Sequence, residues 1–293
     1  MHEFYIMIIN IIIIMLILNK ITKIDFKINL ILSLLINMII FINVNPYKKQ
    51  ENKLSILNYI PKKYVPKTDK FINIKDIKYP FILKPNNCSG CSKDVKVINN
   101  NIELDNYLKN NYQVLNDILY QDFIPYENEV GILYEKDLYT NKGKIVSITQ
   151  KKSLNYQIMA GCNNDINCFD LTDRITPKLN KIICDISDYI PDFNVGRYDI
   201  KYKNDESLFN GEDFYILEVN GNMGFDLRKN ITNILMSNYY IYRWFLHRFF
   251  YGIKNIITLN GYNPSEYINL LISSFKTAIN CNNDWEKLFC RYS

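Results

Sequence analysis

The sequence predicts an α+β fold that is preceded by two apolar N-terminal helices. Residues 196–202 and 214–220 read as two facing strands, and shorter strand patterns lie at 81–85, 95–98, 118–124 and 144–151. Helical patterns lie at 54–60, 103–110, 177–189, 230–251 and 264–279. A chain of 293 residues is long enough for one large domain or two small ones.

The first 45 residues form a separate apolar region. Residues 4–18 contain one polar side chain, Asn10, and three lysines between 20 and 27 separate them from a second apolar stretch, 28–44. Each stretch is slightly shorter than the ~20 residues that span a bilayer core. A buried pair of core helices would fit the same pattern. The uncharged length favours a membrane anchor within 4–44, with the rest of the chain on the cytosolic side.

Composition narrows the function classes. The net charge is +5 and the lysines are scattered, so we predict no nucleic-acid surface. The seven cysteines include one C-x-x-C, at 88–91, and the chain has two histidines. The number and spacing of these residues favour neither a zinc site nor a histidine-based triad. They are typical of free thiols in a reducing cytosol.

Four polar side chains on the two facing strands could converge on one site. Side chains alternate along a strand, so Arg197 and Asp199 share a face, as do Glu218 and Asn220. Carboxylate and amide oxygens suit Mg²⁺, which also takes substrate phosphates. The planar fork of Arg197 suits a phosphate or a carboxylate. An ordinary hairpin with a solvated polar face is the alternative.

A polar loop connects two further strands. Residues 81–85 end in Lys84-Pro85, small and polar residues fill 86–94, and residues 95–98 alternate again. The tip of such a hairpin could cover phosphates with its backbone N–H groups, although the sequence is no Walker loop. A polar surface hairpin is the alternative.

In this order, the motifs resemble the ATP-grasp superfamily, and within it the D-alanine–D-alanine ligase-like carboxylate–amine ligases. The matching pieces lie at 79–85, 89–92, 120–124, 127–131, 196–200 and 214–220, within about residues 60–230. The resemblance implies two α/β lobes that clasp ATP. Together with the apolar pattern of the first residues, it divides the chain into an anchor at 1–45, a connector and start of the first lobe at 46–79, a nucleotide-binding and catalytic core at 80–230, and a helical segment at 231–293.

The resemblance also implies roles for nucleotide-binding residues. Lys84 is similar to the lysine that contacts the ATP phosphates, and Glu129 to the carboxylate that accepts from the ribose hydroxyls. The loop tip over the phosphates would be Gly90, Cys91 and Ser92. The hinge strand whose backbone reads the adenine edge would be Gln121, Asp122, Phe123 and Ile124.

For the chemistry, the resemblance implies Mg²⁺ held by Asp199, Glu218 and Asn220, with Arg197 stabilising the transferred phosphoryl group. ATP would phosphorylate a carboxylate, and an amine would then attack it. A second phosphate lysine has no clear match, and Lys53 is the nearest candidate.

The substrates stay open at this point. Two apolar helices stand where the family has an N-terminal α/β domain, so an amino acid or peptide acceptor is a family-level expectation. Two other functions fit the sequence: an inactive nucleotide-binding module tethered to a membrane, and a structural protein of the membrane surface.

Overall fold

A computed structural model describes residues 52–74, 76–86, 95–111, 116–137, 140–152, 167–191, 193–220 and 227–230, with 235, 236, 239, 240 and 243. All but the last of these lie in one compact unit, Tyr47–Ile241. The predicted anchor helices, the loop tip, the C-x-x-C pair, the helix at 264–279 and most of the helix at 230–251 lie outside the described residues. The helices within the described ranges are all too short or too polar to cross a bilayer.

The first sheet has four antiparallel strands in the order β1-β4-β2-β3. They are β1 (Thr68–Lys70), β2 (Phe81–Pro85), β3 (Lys96–Ile98) and β4 (Ile118–Asp122). The helix Asn101–Asn110 adds Leu104 and Tyr107 to the small apolar core of this sheet. The helix begins two residues before the predicted position because the Asn100 side chain caps it by accepting from the Glu103 amide.

The second sheet has five antiparallel strands in the order β7-β6-β5-β8-β9. They are β5 (Asn128–Asp137), β6 (Lys142–Lys152), β7 (Asn167–Asp170), β8 (Val195–Tyr202) and β9 (Phe214–Asn220). Three further α-helices are Lys53–Tyr59, Pro177–Asp188 and Asp205–Phe209, and 3-10 helices lie at Lys62–Tyr64, Phe71–Asn73, Thr172–Arg174 and Leu227–Asn230. The structure therefore confirms the α+β class and the pairing of the two strands predicted at 196–202 and 214–220.

The two faces of the second sheet differ in chemistry. One face is the main apolar core, where helices Lys53–Tyr59 and Pro177–Asp188 also contribute buried side chains. The sheet residues in this core are Val130, Ile132, Tyr134, Ile145, Ile148, Tyr198, Ile200, Tyr202, Phe214, Ile216 and Val219. The opposite face, called the polar face below, carries Glu129, Gly131, Thr149, Lys151, Asp170, Arg197, Asp199, Lys201, Glu218 and Asn220.

Three details of the predicted elements need correction. The strand predicted at 118–124 ends at Asp122, so Phe123 and Ile124 follow the strand instead of belonging to it. Strand β1, which lies within the predicted connector and start of the first lobe, was missed, and it pairs with β4 in the first sheet. Strand β7 was missed altogether, because four residues give too little alternation to detect.

Candidate functional site

A β-bulge in β9 places Glu218 and Asn220 on the polar face. Asp199 of β8 pairs with Glu218, but the next residue, Ile200, pairs with Ile216, so Leu217 is an extra residue on β9. With strict alternation, Glu218 would point to the same side as Ile216, which is buried in the apolar core. The bulge reverses that phase and turns Glu218 toward the polar face, as bulges beside functional sites commonly do.

Arg197, Asp199 and Asn220 form one hydrogen-bonded group on this face. Arg197 donates from Nε to Asp199 Oδ1 over 2.9 Å and from Nη2 to Asp199 Oδ2 over 3.0 Å. Asn220 donates from Nδ2 to Asp199 Oδ2 over 3.0 Å. Burial disfavours the charged Asp199 carboxylate, but Arg197 and Lys151 outweigh burial and hold its pKa below the usual value. The structure thus brings these three predicted residues together.

Glu218 is the more open of the two carboxylates. It lies directly opposite Asp199 in the strand pairing, and its side chain keeps 31% of its surface exposed, against 13% for Asp199. Lys53 Nζ lies 3.7 Å from Glu218 Oε1. The two predicted metal-ligating carboxylates therefore stand side by side with different freedom to reorient.

Lys84 joins the first sheet to the second. It is 4% exposed, and its Nζ donates to Gln121 Oε1 over 3.0 Å and to the Leu217 carbonyl over 2.9 Å. The acceptor carbonyl belongs to the bulge residue itself. Burial lowers the pKa of Lys84 to about 8, with Glu218 opposing that shift and Lys53 adding to it.

The structure gives Lys53 a defined place beside Lys84. Lys53 begins the helix that Asn52 caps, and its Nζ also donates to the Pro85 carbonyl over 3.2 Å. Leu54 N donates to Asn86 Oδ1, which fixes the start of this helix against the end of β2. Sequence reasoning reached Lys53 only as a guess, because its proximity to Lys84 comes from a contact between residues 32 apart in the chain.

Lys151 is a buried cation that sequence reasoning did not single out. It pairs with Glu129, and its Nζ lies 4.0 Å from Asp199 Oδ1. Burial opposes its charge, but Glu129 and Asp199 outweigh burial and raise its pKa. A signal was present: Thr149 and Lys151 share the strand phase opposite to Ile148, which lies in the core. Glu129 is thus already paired, and its ribose contact stays a prediction.

The residues predicted to read adenine lie at the end of β4. Gln121 sits between Thr68 of β1 and Ile82 of β2, and its Nε2 donates to Thr68 Oγ1 over 2.9 Å. The Asp122 amide donates to the Lys67 carbonyl over 2.9 Å. Adenine recognition by the segment 121–124 stays a prediction, and Gly90, Cys91 and Ser92 lie outside the described residues.

The donor chemistry of Asp199, Glu218 and Asn220 fits a hard divalent cation. All three offer oxygen, and two are carboxylates from paired positions. The described residues contain no cluster of three or more His, Cys, Asp or Glu side chains suited to a metal. The predicted set consists of two carboxylates and the amide of Asn220. An Asn220 ligand would require its amide to turn, since Nδ2 now faces Asp199.

The motifs resemble those of the carboxylate–amine ligases of the ATP-grasp superfamily, and comparison with curated proteins confirms that resemblance. A D-alanine–D-alanine ligase from Petrotoga mobilis is 29% identical over 168 residues. The match covers 56% of this chain and 53% of the relative, so the chain spans about half the length of the curated relative it matches. No family model matches the sequence.

Solved structures similar to this chain include several ligases. A D-alanine–D-alanine ligase from Bacillus anthracis has a TM-score of 0.46 at 14% identity, covering 71% of this chain and 68% of that one. The VanG D-Ala:D-Ser ligase from Enterococcus faecalis has a TM-score of 0.44 at 16% identity, covering 66% and 61%. An L-amino acid ligase from Bacillus licheniformis has a TM-score of 0.42 at 15% identity, covering 58% and 40%.

Proposed function

We propose that this chain is an ATP-dependent ligase that joins a carboxylate to an amine. One observation carries the proposal: Lys84 of β2 and Lys53, which contacts the end of β2, meet the bulged end of β9, where Glu218 lies opposite Asp199 of β8. Cations facing carboxylates across two sheets are what a site needs to hold a polyphosphate together with its metal.

In this proposal, the nucleotide is ATP. Lys84 and Lys53 contact its phosphates as compact, mobile ammonium groups, and the loop tip Gly90, Cys91 and Ser92 covers them. To reach a phosphate, Lys84 exchanges its bonds to Gln121 and Leu217 for bonds to a more highly charged acceptor. Charge-assisted bonds to phosphate oxygens are stronger than bonds to a neutral carbonyl, which favours that exchange.

Asp199, Glu218 and Asn220 would hold Mg²⁺ in the same proposal. The cation would neutralise charge on the transferring phosphoryl group. The Arg197 guanidinium is fixed by its two bonds to Asp199 and carries five N–H donors in all, so it can also serve a phosphoryl oxygen without reorienting.

The proposed reaction has two steps. A substrate carboxylate oxygen attacks the γ-phosphorus of ATP, the bond to the bridging oxygen breaks, and ADP leaves an acyl phosphate behind. The amine then attacks the acyl carbon, the C–O bond to phosphate breaks, and the amine loses a proton as the amide forms. Positioned cations supply most of the help that such phosphoryl transfer needs.

The substrates and the location belong to the proposal as well. The curated relative carries the name D-alanine–D-alanine ligase, which supports an amino acid or peptide as the acceptor. We propose that residues 4–44 anchor the chain in a membrane and that the ligase part faces the cytosol, where ATP is available.

The test is ADP release from Mg-ATP by the chain 1–293, measured over pools of amino acids and small carboxylates. We expect one pool to stimulate release and Glu218→Gln to abolish it, because the neutral amide removes one of the two negative charges that would hold the divalent cation. The control is Glu212→Gln, which removes an exposed carboxylate whose partner is Lys178. Normal release by Glu218→Gln would remove the metal assignment.

A second candidate, a nucleotide-binding module without ligase activity, has one observation in its favour. A carboxylate has about four lone-pair sites, and Asp199 already accepts from Arg197 twice and from Asn220 once. Little capacity remains for a metal while these bonds persist. Tight ATP binding without ADP release in any pool would support this candidate over the ligase.

A further inference from the structure

The hydroxyl of Thr149 stands out on the polar face. Thr149 is 1% exposed, and among the residues that the structure describes its Oγ1 has no hydrogen-bond partner. A buried hydroxyl without a partner has lost its bonds to water and gained nothing in exchange. Such groups are rare in folded proteins and call for an explanation.

Thr149 lies in the same row of the sheet as the predicted metal ligands. It pairs with Gly131 of β5, Gly131 pairs with Asp199 of β8, and Asp199 pairs with Glu218 of β9. Neighbouring strands are ~4.8 Å apart, so Thr149 is roughly 10 Å from Asp199 and roughly 14 Å from the edge strand β9. Its hydroxyl is therefore too far from Lys84 and Lys53 to share the phosphates that those lysines would hold.

Gly131, which lies between Thr149 and Asp199 in this row, has no side chain, and Leu227 occupies the space above it. A Cβ atom at position 131 would lie 2.4 Å from Leu227 Cδ1 and 3.2 Å from Arg197 Cδ. The Leu227 side chain therefore separates Thr149 from Asp199 on this face. The hydroxyl of Thr149 lies on the side of Gly131 that faces β7.

The neighbour of Thr149 on β7 is already satisfied. Asp170, which pairs with Thr149, accepts from the Thr172 amide and from the Tyr240 hydroxyl, and Arg228 Nη1 lies 3.6 Å from its Oδ2. Its charge is thus compensated within the protein. The negative charge beside Thr149 does not call for a cationic ligand.

Two buried cations lie near the Thr149 hydroxyl. Lys151 lies two residues along β6 on the same face, and its Nζ is 4.0 Å from Asp199 Oδ1. Arg228 is 5% exposed, and its Nη1 lies 3.6 Å from Oδ2 of Asp170, the cross-strand neighbour of Thr149. A hydroxyl beside cations can donate to an anionic oxygen that the same cations attract.

We propose that Thr149 donates a hydrogen bond to a carboxylate of the non-nucleotide substrate. The proposal rests on the ligase function above and adds a residue that fixes the substrate on the β6–β7 side of the polar face. Thr149 acts there by contact with the substrate, beyond reach of the nucleotide.

The test compares Thr149→Val, which has the same shape without the hydroxyl, with Thr149→Ser, which keeps it. The full chain is saturated with the non-hydrolysable nucleotide AMP-PNP and Mg²⁺. Binding of a pool of the common L-amino acids, D-alanine and succinate is then followed by ligand-observed NMR. The Kd for AMP-PNP and the thermal midpoint are measured beside it.

We expect at least one probe to bind the wild-type chain, and Thr149→Val to weaken its Kd about tenfold, ~1.4 kcal/mol. Thr149→Ser should stay within about twofold, a small fraction of one hydrogen bond. The Kd for AMP-PNP should not change, and the thermal midpoint of Thr149→Val should be equal or higher, because the valine removes an unsatisfied polar group.

Other outcomes overturn the inference. Equal probe affinity in Thr149→Val and wild type would show a purely structural hydroxyl. A lower thermal midpoint in Thr149→Val would show a partner within the protein. Binding of AMP-PNP with no probe bound to wild type would remove the carboxylate subsite. Failure to bind AMP-PNP would instead count against the proposed function itself, so the two failures are distinguishable.

Discussion

The two faces of the five-stranded sheet are built from the same strands but obey different rules. The apolar face packs Ile132, Ile148 and Ile200 into a core, where stability depends on shape and volume. The polar face buries Lys151, Glu129 and Asp199, where burial of charge is costly unless each ion has a partner. The first face holds the fold together, and the second face is stable only because its ions pair within the protein. The bulge at Leu217 determines that the side chains of Glu218 and Asn220 lie on the polar face.

The largest effect should come from a charge placed on the apolar face. Ile216→Glu puts a carboxylate into the core that Ile216 fills, where an unpaired charge is strongly unfavourable. We expect insoluble or unfolded protein by circular dichroism. Tyr215→Glu is the control, since Tyr215 pairs with Lys201 on the polar face, and it should fold. A soluble, cooperatively folded Ile216→Glu variant would mean that the apolar face does not require apolar side chains.

A smaller effect should come from breaking the buried pair on the polar face. Lys151→Met leaves Glu129 buried without its cation, and loss of one partner of a buried pair costs ~3–5 kcal/mol in free energy of unfolding. The matched change on the surface is Lys178→Met, which breaks the exposed pair with Glu212 and should cost ~0–1 kcal/mol. Urea unfolding of both variants checks this difference. Equal losses would mean that the polar face gains nothing from its internal pairing.

The smallest effect should be the pH dependence of nucleotide binding. The pKa of Lys84 is lowered to about 8 by burial, so Lys84 is charged below that pH and loses its proton as pH rises through it. The neutral amine attracts phosphates less, so the Kd for Mg-ATP should rise about tenfold between pH 7 and 9, ~1.4 kcal/mol. Lys84→Arg stays charged throughout and should bind with little change over that range. Titration calorimetry at several pH values makes the comparison, and a flat profile for the wild type would exclude Lys84 from the phosphate site.

The parts of the fold that could be predicted are the strands in which apolar and polar side chains alternate along the sequence. The bounds of Phe81–Pro85 and Phe214–Asn220 follow from their own side chains, and so does the shared face of Arg197 and Asp199. Strand β1 could not be predicted, because it is three residues long and exists through its pairing with β4. A one-residue bulge likewise leaves no mark in the composition of a strand.

In the site as well, local sequence patterns could be predicted and contacts between distant parts of the chain could not. Lys84 stood out because it ends an apolar strand, whereas the place of Lys53 depends on a helix start that docks against the end of β2. Lys151 was missed because a lysine at a strand end resembles a solvated terminus in sequence. Its burial arises only when Glu129 and Asp199 arrive from neighbouring strands.

The Leu217 carbonyl carries a consequence for how this protein can vary. Lys84 anchors the first sheet to the second on a main-chain oxygen, and every amino acid supplies that atom. Substitution at position 217 can change the side chain freely without removing the acceptor. A mutation can therefore remove the hydrogen bond between the two sheets by replacing Lys84 or by changing the length of β9. A substitution at position 217 leaves the accepting carbonyl in place.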